Sequence, residues 1–98
     1  MKCIVCNKMM TVTRQHSMSI VYKCPDHYDI GYLYNKIAWQ TYHINKNISI
    51  RQDDECVNPY LYDIKRGTLY NFKDFFDIRD GQALEKAIQL VNKLIMFI

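Results

Sequence analysis

Residues 3 to 27 constrain this chain more than any other stretch. They read Cys3-Ile-Val-Cys6, then seventeen residues, then Cys24-Pro-Asp-His27. Three thiols and one imidazole stand as two pairs, each with a two-residue gap. That gap lets one tight turn aim both side chains of a pair at one point. Two such turns joined by a hairpin complete a tetrahedron of ligands for zinc, so one structural zinc ion is expected on Cys3, Cys6, Cys24 and His27.

Three other readings of the cysteines compete. A disulfide framework suits a secreted chain, and no apolar leader is seen ahead of Cys3. A redox Cys-x-x-Cys pair normally opens a helix, whereas Met9 to Arg14 is β-branched and alternating, as a strand is. An iron site wants a fourth thiolate where His27 stands. The spacing favours zinc over all three. His27 is expected as the fourth ligand, with His16 at a hairpin tip and His43 in a later strand. Four protein ligands leave no position for a water molecule, so the ion is expected to fasten the fold and not to catalyse.

Alternation and turn residues divide the rest of the chain. Met10–Arg14 and Met18–Lys23 flank the turn Gln15-His16-Ser17 and predict a hairpin between the two pairs of ligands. Extended segments follow at Asp29–Tyr34, Ile37–Ile44, Ile48–Arg51, Tyr60–Ile64 and Thr68–Phe72, with turns at Asn45-Lys46-Asn47 and Lys65-Arg66-Gly67. Asp80 can cap a helix on which Leu84, Ala87, Ile88, Val91, Leu94 and Ile95 form one apolar face. Phe72, Phe75 and Phe76 are expected to bridge sheet and helix. The predicted fold is α+β. An N-terminal zinc-ribbon β-hairpin (1–28) precedes an antiparallel sheet covered by one C-terminal helix (29–98), packed as one unit.

With these elements in place, the chain resembles zinc-ribbon proteins over Cys3 to His27. Its whole layout, including Tyr60-Leu-Tyr-Asp-Ile and the Leu-rich end, resembles small uncharacterised bacteriophage proteins. The second resemblance implies an accessory protein of the host cytoplasm that binds or inhibits a host enzyme or defence complex.

Function classes narrow by what the sequence holds. No paired carboxylates share a face, no Ser-His-Asp order appears and no Gly-rich phosphate loop is present, so a non-enzymatic protein-binding module is expected. Cys56 lies beside acidic residues, which raise a thiol's pKa, so it is read as a plain cysteine. Candidate partner contacts are Arg14, His16, Tyr32, Tyr34 and Tyr42, since tyrosine buries much area with few rotors. The alternative partner is nucleic acid. Residues 1–52 hold seven Lys and Arg against two Asp, among them Lys8, Arg14, Lys23, Lys36, Lys46 and Arg51 beside Tyr34, Trp39 and Tyr42.

Overall fold

The computed structural model describes residues 1–37, 39–53, 58–72 and 83–96. Cys56, Phe75, Phe76 and the Asp80 cap lie outside them. Seven strands follow in sequence: β1 (Thr11–Gln15), β2 (Ser19–Lys23), β3 (Gly31–Asn35), β4 (Trp39–His43), β5 (Ile48–Gln52), β6 (Tyr60–Asp63) and β7 (Gly67–Asn71). One helix, α1 (Ala83–Met96), follows. All seven strands form a single antiparallel sheet in the order in which they occur.

This corrects the predicted fold in one respect. The N-terminal hairpin is not a ribbon set ahead of a separate sheet. β2 pairs with β3 through five consecutive residue pairs, from Ser19 with Asn35 to Lys23 with Gly31. The ladder crosses the boundary drawn at residue 28. The physical reason is the short connection. Only residues 24–30 separate the two strands, and an unpaired β2 edge would leave a row of amides without partners. The α+β class stands, with one C-terminal helix among the described residues.

Pairing register settles which side chains share a face, because residues directly opposite in a sheet point the same way. One row runs Val12, Tyr22, Tyr32, Tyr42, Ile50, Leu61, Tyr70 across all seven strands. Tyr42 and Ile50, at its centre, have no exposed surface. They join the core with Leu84, Ala87, Ile88 and Val91 of α1. These four recur at steps of three and four, so they form the helix's buried stripe, while Glu85, Lys86, Gln89 and Lys93 stay exposed. Beside the row, a polar chain runs from the Tyr32 hydroxyl to Gln40 Oε1 (2.6 Å) and from Gln40 Nε2 to Gln52 Oε1 (2.6 Å). It gives the buried Gln52 amide a partner under the helix side of the sheet.

The opposite face carries a second row: Arg14, Val21, Leu33, Thr41, Arg51, Tyr60, Asn71. Arg14 reaches it through a bulge in β1 between Val12 and Arg14. The extra residue flips the alternation, so Arg14 leaves the side on which Val12 stands.

The turns follow from residue chemistry. The Asn45 side-chain oxygen accepts from the amides of Asn47 (2.8 Å) and Ile48 (2.9 Å), turning β4 into β5. Gly67 takes φ 84°, which a residue with a Cβ adopts only under strain. Gly31 is needed for a different reason. A Cβ there would lie 2.8 Å from the Tyr22 carbonyl oxygen, a backbone atom that cannot swing aside. Gly31→Ala is therefore expected to cost about 1–3 kcal/mol, read as a lower urea midpoint with unchanged slope.

Candidate metal centre

The first pair of ligands sits in a closed turn ahead of β1. The Cys3 amide donates to Lys8 O and the Asn7 amide donates to Cys3 O, both at 2.9 Å. A bridge between Lys2 and Met9 holds the two ends of the turn together. Asn7 has φ 61°, a left-handed conformation that Asn tolerates better than most residues with a side chain. The Asn directly after the second cysteine is a local signal that could have located this turn. The second pair forms the turn from β2 into β3. There Ile30 N–H donates to His27 O (3.0 Å) and Cys24 N–H donates to Ile30 O (3.1 Å).

These two turns bring three sulfurs and one nitrogen together. The Sγ atoms of Cys3, Cys6 and Cys24 and a ring nitrogen of His27 all lie within 4.8 Å of one another. Cys6 Sγ and Cys24 Sγ are 3.5 Å apart, Cys24 Sγ and His27 Nδ1 are 3.5 Å apart, and Cys3 Sγ and His27 Nδ1 are 3.8 Å apart. A tetrahedral site with zinc bond lengths has sulfur–sulfur edges of about 3.8 Å and sulfur–nitrogen edges of about 3.5 Å. The donor set therefore fits a metal ion of that size. The same spacing excludes a disulfide between Cys6 and Cys24, whose sulfurs would approach to about 2.05 Å. All three cysteines are free.

Electrostatics agree with a cation site. Burial works to raise the Cys24 thiol, but hydrogen bonds from His27, from the Asp26 amide and from the neighbouring sulfurs bring it from 9.0 down to about 6. Burial pushes the Cys3 thiol upward instead. Lys8 and Asp26 form an ion pair that ties one turn to the other across the outside of the site. The Lys8 ammonium holds the Asp26 carboxyl below the usual carboxylate range.

No protein-family model matches the chain, and no curated protein or solved structure is significantly similar to it. These comparisons support neither a zinc-ribbon nor a phage kinship, and what the structure keeps of that expectation is the cluster of Cys3, Cys6, Cys24 and His27.

The other sequence-predicted residues scatter. Arg14 and His16 are exposed, on β1 and just beyond it. Tyr34 is half-buried, edge-on to Trp39 with ring centroids 5.7 Å apart. Tyr32 lies on the helix side of the sheet, its hydroxyl bonded to Gln40. Tyr42 is fully buried and offers no surface to a partner, so its place among the contact residues is corrected.

Sequence reasoning missed what Tyr42 does. Its hydroxyl accepts from the Ile4 amide (2.8 Å) and donates to the Lys2 carbonyl (3.0 Å). The middle strand of the sheet thereby grips the backbone on both sides of Cys3. Nothing in local sequence pattern points to a contact thirty-eight residues away. Burial pushes the Tyr42 hydroxyl up to about 12, with the nearby cysteine sulfurs adding to the effect. Tyr32 is likewise pushed to about 12, mainly by burial. Because these hydroxyls ionise later folded than unfolded, their contribution to stability is complete below pH 10 and is lost as pH rises toward 12. An absorbance titration of tyrosinate is expected to show a late class of tyrosines that ionises together with loss of the folded circular dichroism signal.

The histidines provide a direct test of the ligand assignment. His27→Ala is expected to lower metal affinity by at least tenfold in a chelator competition, with His16→Ala and His43→Ala unchanged. Equal affinity for His27→Ala and the parent protein would remove His27 from the site.

Proposed function

We propose that this chain is a non-enzymatic binding module whose N-terminal third is held by one structural zinc ion. The observation that carries the reading is the closed donor set: Cys3, Cys6, Cys24 and His27 converge with edge lengths suited to four-coordinate zinc. When bound, zinc supplies an electrostatic and geometric clamp. Three thiolates also make it a poor Lewis acid, and four protein donors fill its tetrahedron. The residues around the site act on the backbone. Tyr42 anchors the first turn, Asn7 closes it, and the Lys8–Asp26 pair joins it to the second.

Such a clamp serves a surface. It holds β1 and β2 in line with the rest of the sheet, although no side chain of either strand is fully buried. The working part of the protein is then the sheet face opposite α1, which extends across all seven strands, and the partner is another macromolecule.

Cobalt substitution tests this reading. A closed site gives the intense visible bands of tetrahedral cobalt with thiolate ligands, and these bands do not move on adding azide or imidazole. A spectrum that shifts with added ligand shows an open coordination position and overturns the structural assignment. A metal-to-protein ratio near zero after zinc-replete expression overturns it as well.

A further inference from the structure

We propose that the sheet face opposite α1 binds single-stranded nucleic acid, with Lys23, Lys46 and Arg51 holding phosphates and Tyr28 and Tyr62 stacking bases. The inference rests on the reading of the chain as a binding module and names its partner. The four metal ligands themselves take no part, although Lys23 directly precedes Cys24 and Tyr28 directly follows His27.

A shallow trough of about 360 Å³ opens on this face. Its floor is Gly31, and Lys23, Tyr28, Asp29, His43 and Lys46 stand around it. The trough exists because the position between Lys23 and His43 in the cross-strand row is the one without a side chain. Tyr28 stands at the rim, 77% exposed, with Lys23 Nζ 6.0 Å from its ring centre. Farther along, the Arg51 guanidinium lies 4.0 Å from the centre of the Tyr62 ring. Arg51 Nε donates to Ser49 Oγ at 3.1 Å, which orients the group on the ring. Two separate cation–aromatic pairs thus occupy one face, and each places a positive donor beside a flat ring. That is the arrangement which grips phosphate and base together in single strands.

The charge on this face is not spent internally. Among the described residues Lys8 forms an ion pair with Asp26, at the metal centre, and no described carboxylate forms an ion pair with Arg14, Lys23, Lys46 or Arg51. Two acids lie close by: Asp29 beside the trough, and Asp53, which accepts the Tyr60 hydroxyl at 2.7 Å. Among the described residues the balance remains positive. His43, between Lys23 and Arg51, gives up its proton more readily than usual, first through burial and then through those two charges. Its environment is therefore already positive. Arg14 on β1, placed on this face by the bulge, extends the cations outward. From β1 to β5 the row spans roughly 19 Å at the usual strand spacing. That is room for about four nucleotides, the lower end of single-strand site sizes. An acidic protein could satisfy the cations, but it would leave Tyr28 and Tyr62 with no flat partner.

The test is fluorescence anisotropy with labelled twelve-nucleotide DNA and RNA, their duplex forms and poly-glutamate, using metal-loaded full-length protein. Single strands are expected to bind at 50 mM salt and to weaken about 20-fold by 200 mM, the loss for three phosphate contacts. Lys23→Gln with Arg51→Gln is expected to flatten that salt dependence to about one contact. Tyr28→Ala and Tyr62→Ala are each expected to weaken binding about fivefold or more at every salt concentration without changing the slope. Lys65→Gln with Arg66→Gln, in the β6–β7 turn, leaves binding unchanged. Metal content and circular dichroism confirm that each variant is folded.

No single-strand binding at 50 mM overturns the inference. So does binding that the outer-face variants leave intact. Equal retention of poly-glutamate or duplex, with both tyrosine variants silent, shows a generic polyanion or protein surface and overturns it too. A protein that holds its metal yet ignores every oligonucleotide fails here alone. A protein that binds oligonucleotide without metal fails only the structural-zinc reading.

Discussion

Stripping zinc from the loaded protein is expected to melt residues 1–30 and to lower the thermal midpoint by at least about 15 °C. The size follows from two comparisons. Structural zinc in small sites contributes about 10–16 kcal/mol of apparent binding free energy, and a whole domain is stable by only about 5–15 kcal/mol. Losing even a few kcal/mol moves the midpoint of a chain this size by tens of degrees. Apart from the β2–β3 ladder, the Tyr42 hydroxyl and the Lys8–Asp26 pair, little else holds this end of the molecule. Every residue of β1 is exposed and every residue of β2 is only half-buried. The buried side chains nearby are Cys3, Cys24, Met10 and Ile30, two of them ligands. Hydrogen exchange is the measurement that localises the effect. Amides of β1 and β2 should exchange rapidly after chelation, while those of β4, β5 and α1 keep more protection. Binding should also strengthen from pH 6 to 8, since the Cys3 thiol, pushed up by burial, must release its proton to bind metal. Identical melting curves with and without chelator would end the clamp model.

Replacing Tyr42 should produce the next largest change. Tyr42→Ala is expected to destabilise the metal-loaded protein by about 3–5 kcal/mol, the cost of removing a buried aromatic ring. Tyr42→Phe keeps the ring and deletes one oxygen, yet it is expected to cost about 1–3 kcal/mol. The Ile4 amide and Lys2 carbonyl then lose a partner in a part-buried site. The same variant should weaken metal binding about tenfold, because the turn that presents Cys3 and Cys6 loses its tie to β4. Urea unfolding and chelator competition on one preparation separate the two effects. If Tyr42→Phe matches the parent in both, the hydroxyl is incidental and the first turn is held by the metal alone.

The predicted elements survive well because each rests on local chemistry. Alternation marked the strands, Asn45 and Gly67 marked turns they do make, and the spacing of Leu84, Ala87, Ile88 and Val91 marked the helix face. The ligands were legible for the same reason: a two-residue gap is a local statement about where two side chains can point. What failed was any question of which face is covered. Tyr32 and Tyr42 alternate as an outward tyrosine would, and register alone puts them beneath α1. A period of two says which residues travel together and not which side faces the core. The bulge at β1 shows the same limit, since one extra residue moved Arg14 to the far face.

By itself, then, the sequence determined the candidate ligand set, the strands and the amphipathic helix, because backbone preference and side-chain spacing act over a few residues. Only the tertiary structure decided that the hairpin is part of a seven-stranded sheet, that Tyr42 grips the metal turn, and that Lys23, Arg51, Tyr28 and Tyr62 share an uncovered face among the described residues. Those outcomes depend on pairing between strands distant in the chain. Their free energy comes from amides finding partners and from apolar rows finding cover, neither of which a short window of residues contains.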